Sequence, residues 1–147
     1  MSDHHKSPVY IDVNPEAAGR FFGSPETGPV VMLNLIRLRE RADYSHAPQI
    51  APEGGIDGTG AYALYVKGIE PLLKETGGEL LFLGSAENFL IGPQDETWDI
   101  AMLVRQTSKA SFLSFASDPE AQLVTAHRTA AVADSRLLPI KPDPRFI

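Results

Sequence analysis

A chain of 147 residues with 43% apolar and 22% charged side chains has the size and make-up of one globular domain. Its 13 basic and 19 acidic residues leave a net charge of −6, which argues against nucleic acid as the main partner and against anionic membrane surfaces, since both call for a basic face. It has no cysteine, and that excludes disulfides, thiolate nucleophiles, Fe–S clusters and thiolate zinc sites together.

The first six residues, ending His4-His5-Lys6, lack the apolar centre of a signal peptide, and the early apolar run at 30–33 is too short to span a bilayer. The expectation is a cytoplasmic protein. Residues 1–28 read as an N-terminal extension. Within it, Asn14-Pro15-Glu16 starts a short helix, with Asn14 as cap, proline in the first turn, and Ala17, Phe21 and Phe22 on an apolar side. Residues 29–141 form the main domain, and 142–147 a proline-rich tail.

Residues 30–38 predict a strand that is apolar almost throughout, so both its faces should be covered. Strand parity puts Met32, Asn34 and Ile36 on one face and Leu33, Leu35 and Arg37 on the other. Residues 39–58 carry two prolines, His46 and Gly54-Gly55 and predict a long loop, of the kind that serves as a lid. Residues 59–76 predict a helix with Ala61, Leu64, Tyr65, Gly68, Ile69 and Leu72 on its inner side, Gly77-Gly78 as its stop, and Pro71 as a kink or last-turn marker. Residues 79–84 and 87–91, bent at Gly84, and residues 98–106 predict a hairpin across the turn at 92–96. Ser108 caps a short helix, a second runs from Asp118 to about Asp134, and residues 135–140 form the last strand.

The order strand, helix, strand, strand, helix, strand is the ferredoxin-like β-α-β-β-α-β pattern, an α+β fold whose antiparallel sheet carries its helices on one face. The other face must be covered, and a second subunit is the simplest cover.

Four segments resemble the thirteen-thirty family of domains of unknown function. They are Val31-Met32-Leu33-Asn34-Leu35 with Arg37; Ala61-Tyr62 with Tyr65; Leu90-Ile91-Gly92-Pro93 leading to Trp98-Asp99; and Ala126-His127-Arg128 leading to Asp134-Ser135-Arg136-Leu137. The resemblance spans roughly residues 30–140. It implies a homodimeric α/β barrel, two ferredoxin-like sheets packed face to face, and adds no reaction. The related barrels typically hold small molecules in a cleft between the sheet and the helices of each subunit.

His127 falls on the inward stripe of its helix with Leu123, Ala130 and Asp134. It is a candidate general acid/base or ligand-orienting donor, or else a core histidine bonded to a backbone carbonyl or to Asn34. Asn34 lies mid-strand and must be bonded, as an orienting group in the cleft, at a strand bulge or at the dimer seam. These two are the candidate catalytic residues. Arg37 and Arg128 suit a carboxylate or phosphate in a fork, against plain ion pairing. Tyr65 offers a hydroxyl to a pocket or packs as a core aromatic, and Trp98 walls a pocket or the dimer interface or fills the core. These four are the candidate substrate-binding residues. No His-x-x-x-His spacing or phosphate loop is present, so no metal or cofactor is expected.

Two functions are compatible with this pattern, and the sequence does not choose between enzyme and non-enzyme. One is binding or conversion of a small metabolite in a cleft bounded by Asn34, Tyr65 and His127, with the 39–58 loop as lid. The other is a non-catalytic ligand-binding or stress-related dimer.

Overall fold

The computed structural model describes residues 8–146; the expectations for the chain start, His4 and His5 among them, lie outside the described residues. The first helix is α1, Pro15–Gly23, where the Asn14 side chain accepts from the Ala17 amide at 3.0 Å and Pro15 begins the first turn. Strand β1, Val30–Leu38, follows. A long irregular segment with one short 3-10 turn, Pro48–Ile50, leads to α2, Gly58–Glu75. After it come β2, Glu79–Ser85, and β3, Ile100–Gln106. Helices α3, Lys109–Ser117, and α4, Pro119–Ala131, precede the last strand, β4, Val132–Ile140.

The four strands form one antiparallel sheet in the order β2-β3-β1-β4. This is the expected ferredoxin-like α+β fold. Along β1, Val30, Met32, Asn34 and Ile36 are buried, and the alternate residues are half-buried. The buried set meets α2 and α4, and the core gathers there around Ile36, Tyr62, Ile69, Leu73, Met102 and Val132. The opposite face of the sheet is apolar as well. Phe82, Leu103, Leu33 and Leu138 lie opposite one another across all four strands, with Ile140 opposite Val31 beside them. Phe82 and Leu138 are 59% and 56% exposed, so nothing among the described residues covers them.

Several boundaries differ from the sequence expectations. Residues 87–91 do not extend the hairpin. The β2–β3 ladder ends where Ser85 faces Ile100, and beyond it the Gln94 amide donates to the Phe89 and Gly92 carbonyls, closing a local loop that leaves Leu90 and Ile91 fully exposed. The strand begins at Ile100 rather than Trp98. The irregularity in β2 falls between Leu80 and Phe82, while Gly84 pairs regularly with Ala101. Helix α2 runs unbroken through Pro71, near enough its end that the missing N–H costs one bond. Its buried side is Ala61, Tyr62, Val66, Ile69, Leu72 and Leu73, with Leu64 turned out. It ends with Gly77 at φ +79°, and the Gly77 and Gly78 amides donate to the carbonyls of Lys74 and Leu73.

The largest shift concerns α4. It stops at Ala131, three residues before the expected end, because Val132 already pairs with Leu38. Asp134 is therefore a strand residue, and Leu123, 59% exposed, does not share an inward stripe with it. Among the described residues no helix is long and apolar enough to cross a membrane.

Candidate functional site

The space between the sheet and helices α2, α3 and α4 is not completely filled. It holds a cavity of about 570 Å3. Met32 and Met102 form part of its floor, Ile69 and Leu73 of α2 one wall, and Phe112 and Phe115 of α3 another. The roof comes from the N-terminal segment, through Ile11, Val13, Ala17, Phe21 and Phe22. A cavity of this size and lining matches the usual small-molecule site, mostly apolar with a few polar groups.

The roof is tied down at both ends. The Tyr10 amide donates to Asp134 Oδ1 at 2.9 Å, the Ser135 hydroxyl donates to the Tyr10 carbonyl at 2.6 Å, and Arg128 donates to the Ile11 carbonyl at 2.8 Å. At the far end Lys109 donates to the Phe21 carbonyl at 2.8 Å and lies over its ring. Phe21 and Phe22 meet Phe112 at 6.3 and 5.9 Å between ring centroids. An extension with no assigned role in the sequence thus covers part of the cavity. The segment expected as lid, residues 39–58, lies elsewhere, with Arg39 and Asp43 amides bonded to the Ala131 and Ala130 carbonyls at the end of α4.

Three of the six residues singled out from sequence line the cavity: Asn34, Tyr65 and Arg128. Asn34 donates from Nδ2 to the Met32 and Met102 carbonyls at 3.3 and 3.5 Å, and among the described residues no donor reaches its Oδ1. Burial raises the Tyr65 hydroxyl above its ordinary pKa, with Arg128 close enough to oppose the rise, so the group stays protonated and able to donate. Arg128 donates to the Ile11 carbonyl and, at 3.1 Å, to the Ser135 hydroxyl. Among the described residues no carboxylate lies within 4.0 Å of it.

Gln106 is another polar residue on the lining, which the sequence reasoning passed over. It is 1% exposed, and its Oε1 has no donor among the described residues. The signal was present: Gln106 ends β3 on the same parity as the buried Met102 and Val104.

The other three candidates do other work. His127 is not in the cavity lining. Its Nδ1 meets the Tyr44 hydroxyl at 2.7 Å, joining α4 to the 39–57 segment, and partial burial lowers its pKa. It therefore stays largely neutral at pH 7. Arg37 and Trp98 belong to a stack at the roof's first tether. Arg37 and Arg136 lie 5.2 and 5.0 Å from the Trp98 ring centre, and Arg136 also covers Tyr10 at 4.9 Å. Trp98 is 5% exposed and donates to Glu96 at 2.9 Å. Beneath the stack, Asp134 accepts from Arg136 at 2.9 Å and lies 3.6 Å from Arg37. Burial alone would raise its pKa; the amides of Tyr10 and Ser135 and the Arg136 guanidinium reverse this and hold it below the usual range. Among the described residues no three histidine or carboxylate side chains gather as a metal site.

A protein of unknown function from Rhodopseudomonas palustris, RPA0582, is 38% identical to this chain, and the match covers 92% of this chain and 98% of that one, with a TM-score of 0.81. The chain belongs to the same family. The methylated form of RPA0582 matches equally well, at 38% identity and a TM-score of 0.81, over 91% of this chain and 95% of that one. A protein of unknown function from Bacteroides fragilis, described as dimeric and ferredoxin-like, shares the fold, at 16% identity and a TM-score of 0.50 over 78% of this chain and 96% of that one. No protein-family model and no curated protein matches the chain.

Proposed function

We propose that this is a homodimeric α/β-barrel protein of the thirteen-thirty family that binds a small, largely apolar metabolite in the roofed cavity of each subunit. One observation carries this reading: a cavity of about 570 Å3, apolar for the most part, with Asn34, Tyr65 and Arg128 among the polar residues on its lining. Asn34, Tyr65 and Arg128 are the proposed ligand contacts, Arg37 and Trp98 hold the roof, and His127 anchors the 39–57 segment. Binding is favoured over conversion because the histidine is engaged outside the cavity, and Asp12, the one carboxylate in the lining, is exposed. The cytoplasm is the proposed location, in keeping with a chain free of cysteine.

The test is a metabolite panel read by thermal shift on the wild type and on Ala116→Trp. Ala116 is an exposed α3 residue on the cavity lining, so an indole there fills the space at little risk to the core. Compounds that raise the wild-type melting point are expected to lose that effect in the variant; hits that stabilise both equally place the ligand elsewhere.

The dimer is supported by the bare apolar row Phe82–Leu103–Leu33–Leu138 and by the dimeric description of the Bacteroides fragilis protein. Leu103→Glu puts an uncompensated carboxylate at the middle of the proposed seam in each copy, a cost of several kcal/mol. Light scattering is expected to give twice the chain mass for wild type and one chain mass for Leu103→Glu. A monomeric wild type at micromolar concentration contradicts the dimer.

A further inference from the structure

Arg128 stands out among the groups around the cavity. Its neighbours Arg37 and Arg136 share Asp134, but Arg128 spends two N–H groups on neutral acceptors, the Ile11 carbonyl and the Ser135 hydroxyl, and no carboxylate among the described residues lies within 4.0 Å of it. A guanidinium carries five donors, so further N–H groups remain. It borders a mainly apolar space, where a bare cation is costly and a charge-assisted bond is worth about twice a neutral one. Tyr65, a neutral donor close enough to feel the Arg128 charge, lines the same cavity.

We infer that the cavity selects an organic anion: an apolar, ring-bearing or branched body between the phenylalanines of α1 and α3, with its single oxyanion on Arg128. This deepens the ligand-binding reading above and rests on it. The same guanidinium holds the Ile11 carbonyl, so an anion bound there also fixes the roof at its first tether. The chain's net charge of −6 repels small anions at long range, so any preference for an anion over its neutral twin must arise locally.

Two fluorescent probes with one body test this: 1-anilinonaphthalene-8-sulfonate and the uncharged N-phenyl-1-naphthylamine. Each is titrated into wild type, Arg128→Gln, Arg128→Lys and Ala116→Trp. Wild type is expected to bind the sulfonate about tenfold more tightly than the neutral probe, the scale of one charge-assisted contact. Arg128→Gln is expected to abolish the preference, weakening the sulfonate about tenfold more than the neutral probe. Arg128→Lys keeps most of the preference, separating charge from roof tethering. An equal Kd for both probes in wild type, or a preference that survives in Arg128→Gln, overturns the anion assignment. If Ala116→Trp weakens neither probe, or neither binds wild type, the cavity itself is not the site.

Discussion

Gly58→Ala should unfold about 10 °C below the wild type, the most damaging single methyl group that this fold can receive at the start of α2. A Cβ on Gly58 would run into the Arg39 carbonyl oxygen and stand 2.9 Å from its carbon and 3.1 Å from the Arg39 nitrogen. All three are backbone atoms, and Arg39 cannot retreat, because its own amide donates to the Ala131 carbonyl at 2.8 Å. The Gly58 amide in turn reaches the Glu40 carbonyl at 3.3 Å, and Arg41 bridges to Asp57. The start of α2 is therefore clamped between the exit of β1 and the end of α4. Overpacking usually costs 1–3 kcal/mol and more where backbone must move, so about 3 kcal/mol is expected, at roughly 2–4 °C per kcal/mol for a chain this long. Gly19→Ala is the control. It lies on the exposed side of α1 with nothing within 4 Å of the added methyl, and alanine is the better helix former, so calorimetry should show no loss. Equal melting points for Gly58→Ala and wild type would mean that the β1–α2 crossing is looser than described.

Asp134→Ala should cost about 3 kcal/mol at neutral pH and free the roof of the cavity. The carboxylate is 3% exposed, accepts from the Tyr10 and Ser135 amides at 2.9 and 2.8 Å, and balances Arg136 and Arg37. Both arginines are more than a third exposed, so water screens part of their loss, and the estimate stays at the low end for a broken buried ion pair. The sign of the pH dependence follows from the lowered pKa. The folded value lies below the unfolded one, near 3.9, so the contribution is present above about pH 4 and disappears as pH falls through the folded value. Urea denaturation should separate variant from wild type at pH 7 and bring them together near pH 2. A constant gap at both pH values would mean that packing, not charge, makes the difference. Because Tyr10 is tethered here, trypsin is expected to cut after the exposed Arg20 faster in the variant.

Both predictions concern contacts between residues far apart in the chain, which no local pattern reveals. Spacing to His127 and Ala130 predicts a helical Asp134, yet the helix ends at Ala131. Pairing of Val132 with Leu38 outweighs one more helical turn, since it joins a β-branched residue to a buried strand. His127 went with that misplaced stripe. Its partner is Tyr44, 83 residues away, and the resulting bond turns the 39–57 segment toward α4 and away from the cavity. The N-terminal extension shows the reverse case. Asn14-Pro15 marked its helix correctly, but the polar ties at Tyr10 and Ile11 depend on residues from 128 to 135.

The fold class follows from the sequence itself. Alternating apolar periods give the order of strands and helices, and strand parity sorts Met32, Asn34 and Ile36 from Leu33, Leu35 and Arg37, while packing decides which set meets the helices. The charge balance and lack of cysteine narrow the chemistry without reference to any contact. The tertiary structure alone decided that the extension roofs a cavity, that Arg128 and not His127 reaches it, and that Arg37 serves the roof through Asp134 and Trp98. Periodicity says which side of an element is buried; what that side meets depends on register and crossing, and these are set only when all the elements pack at once.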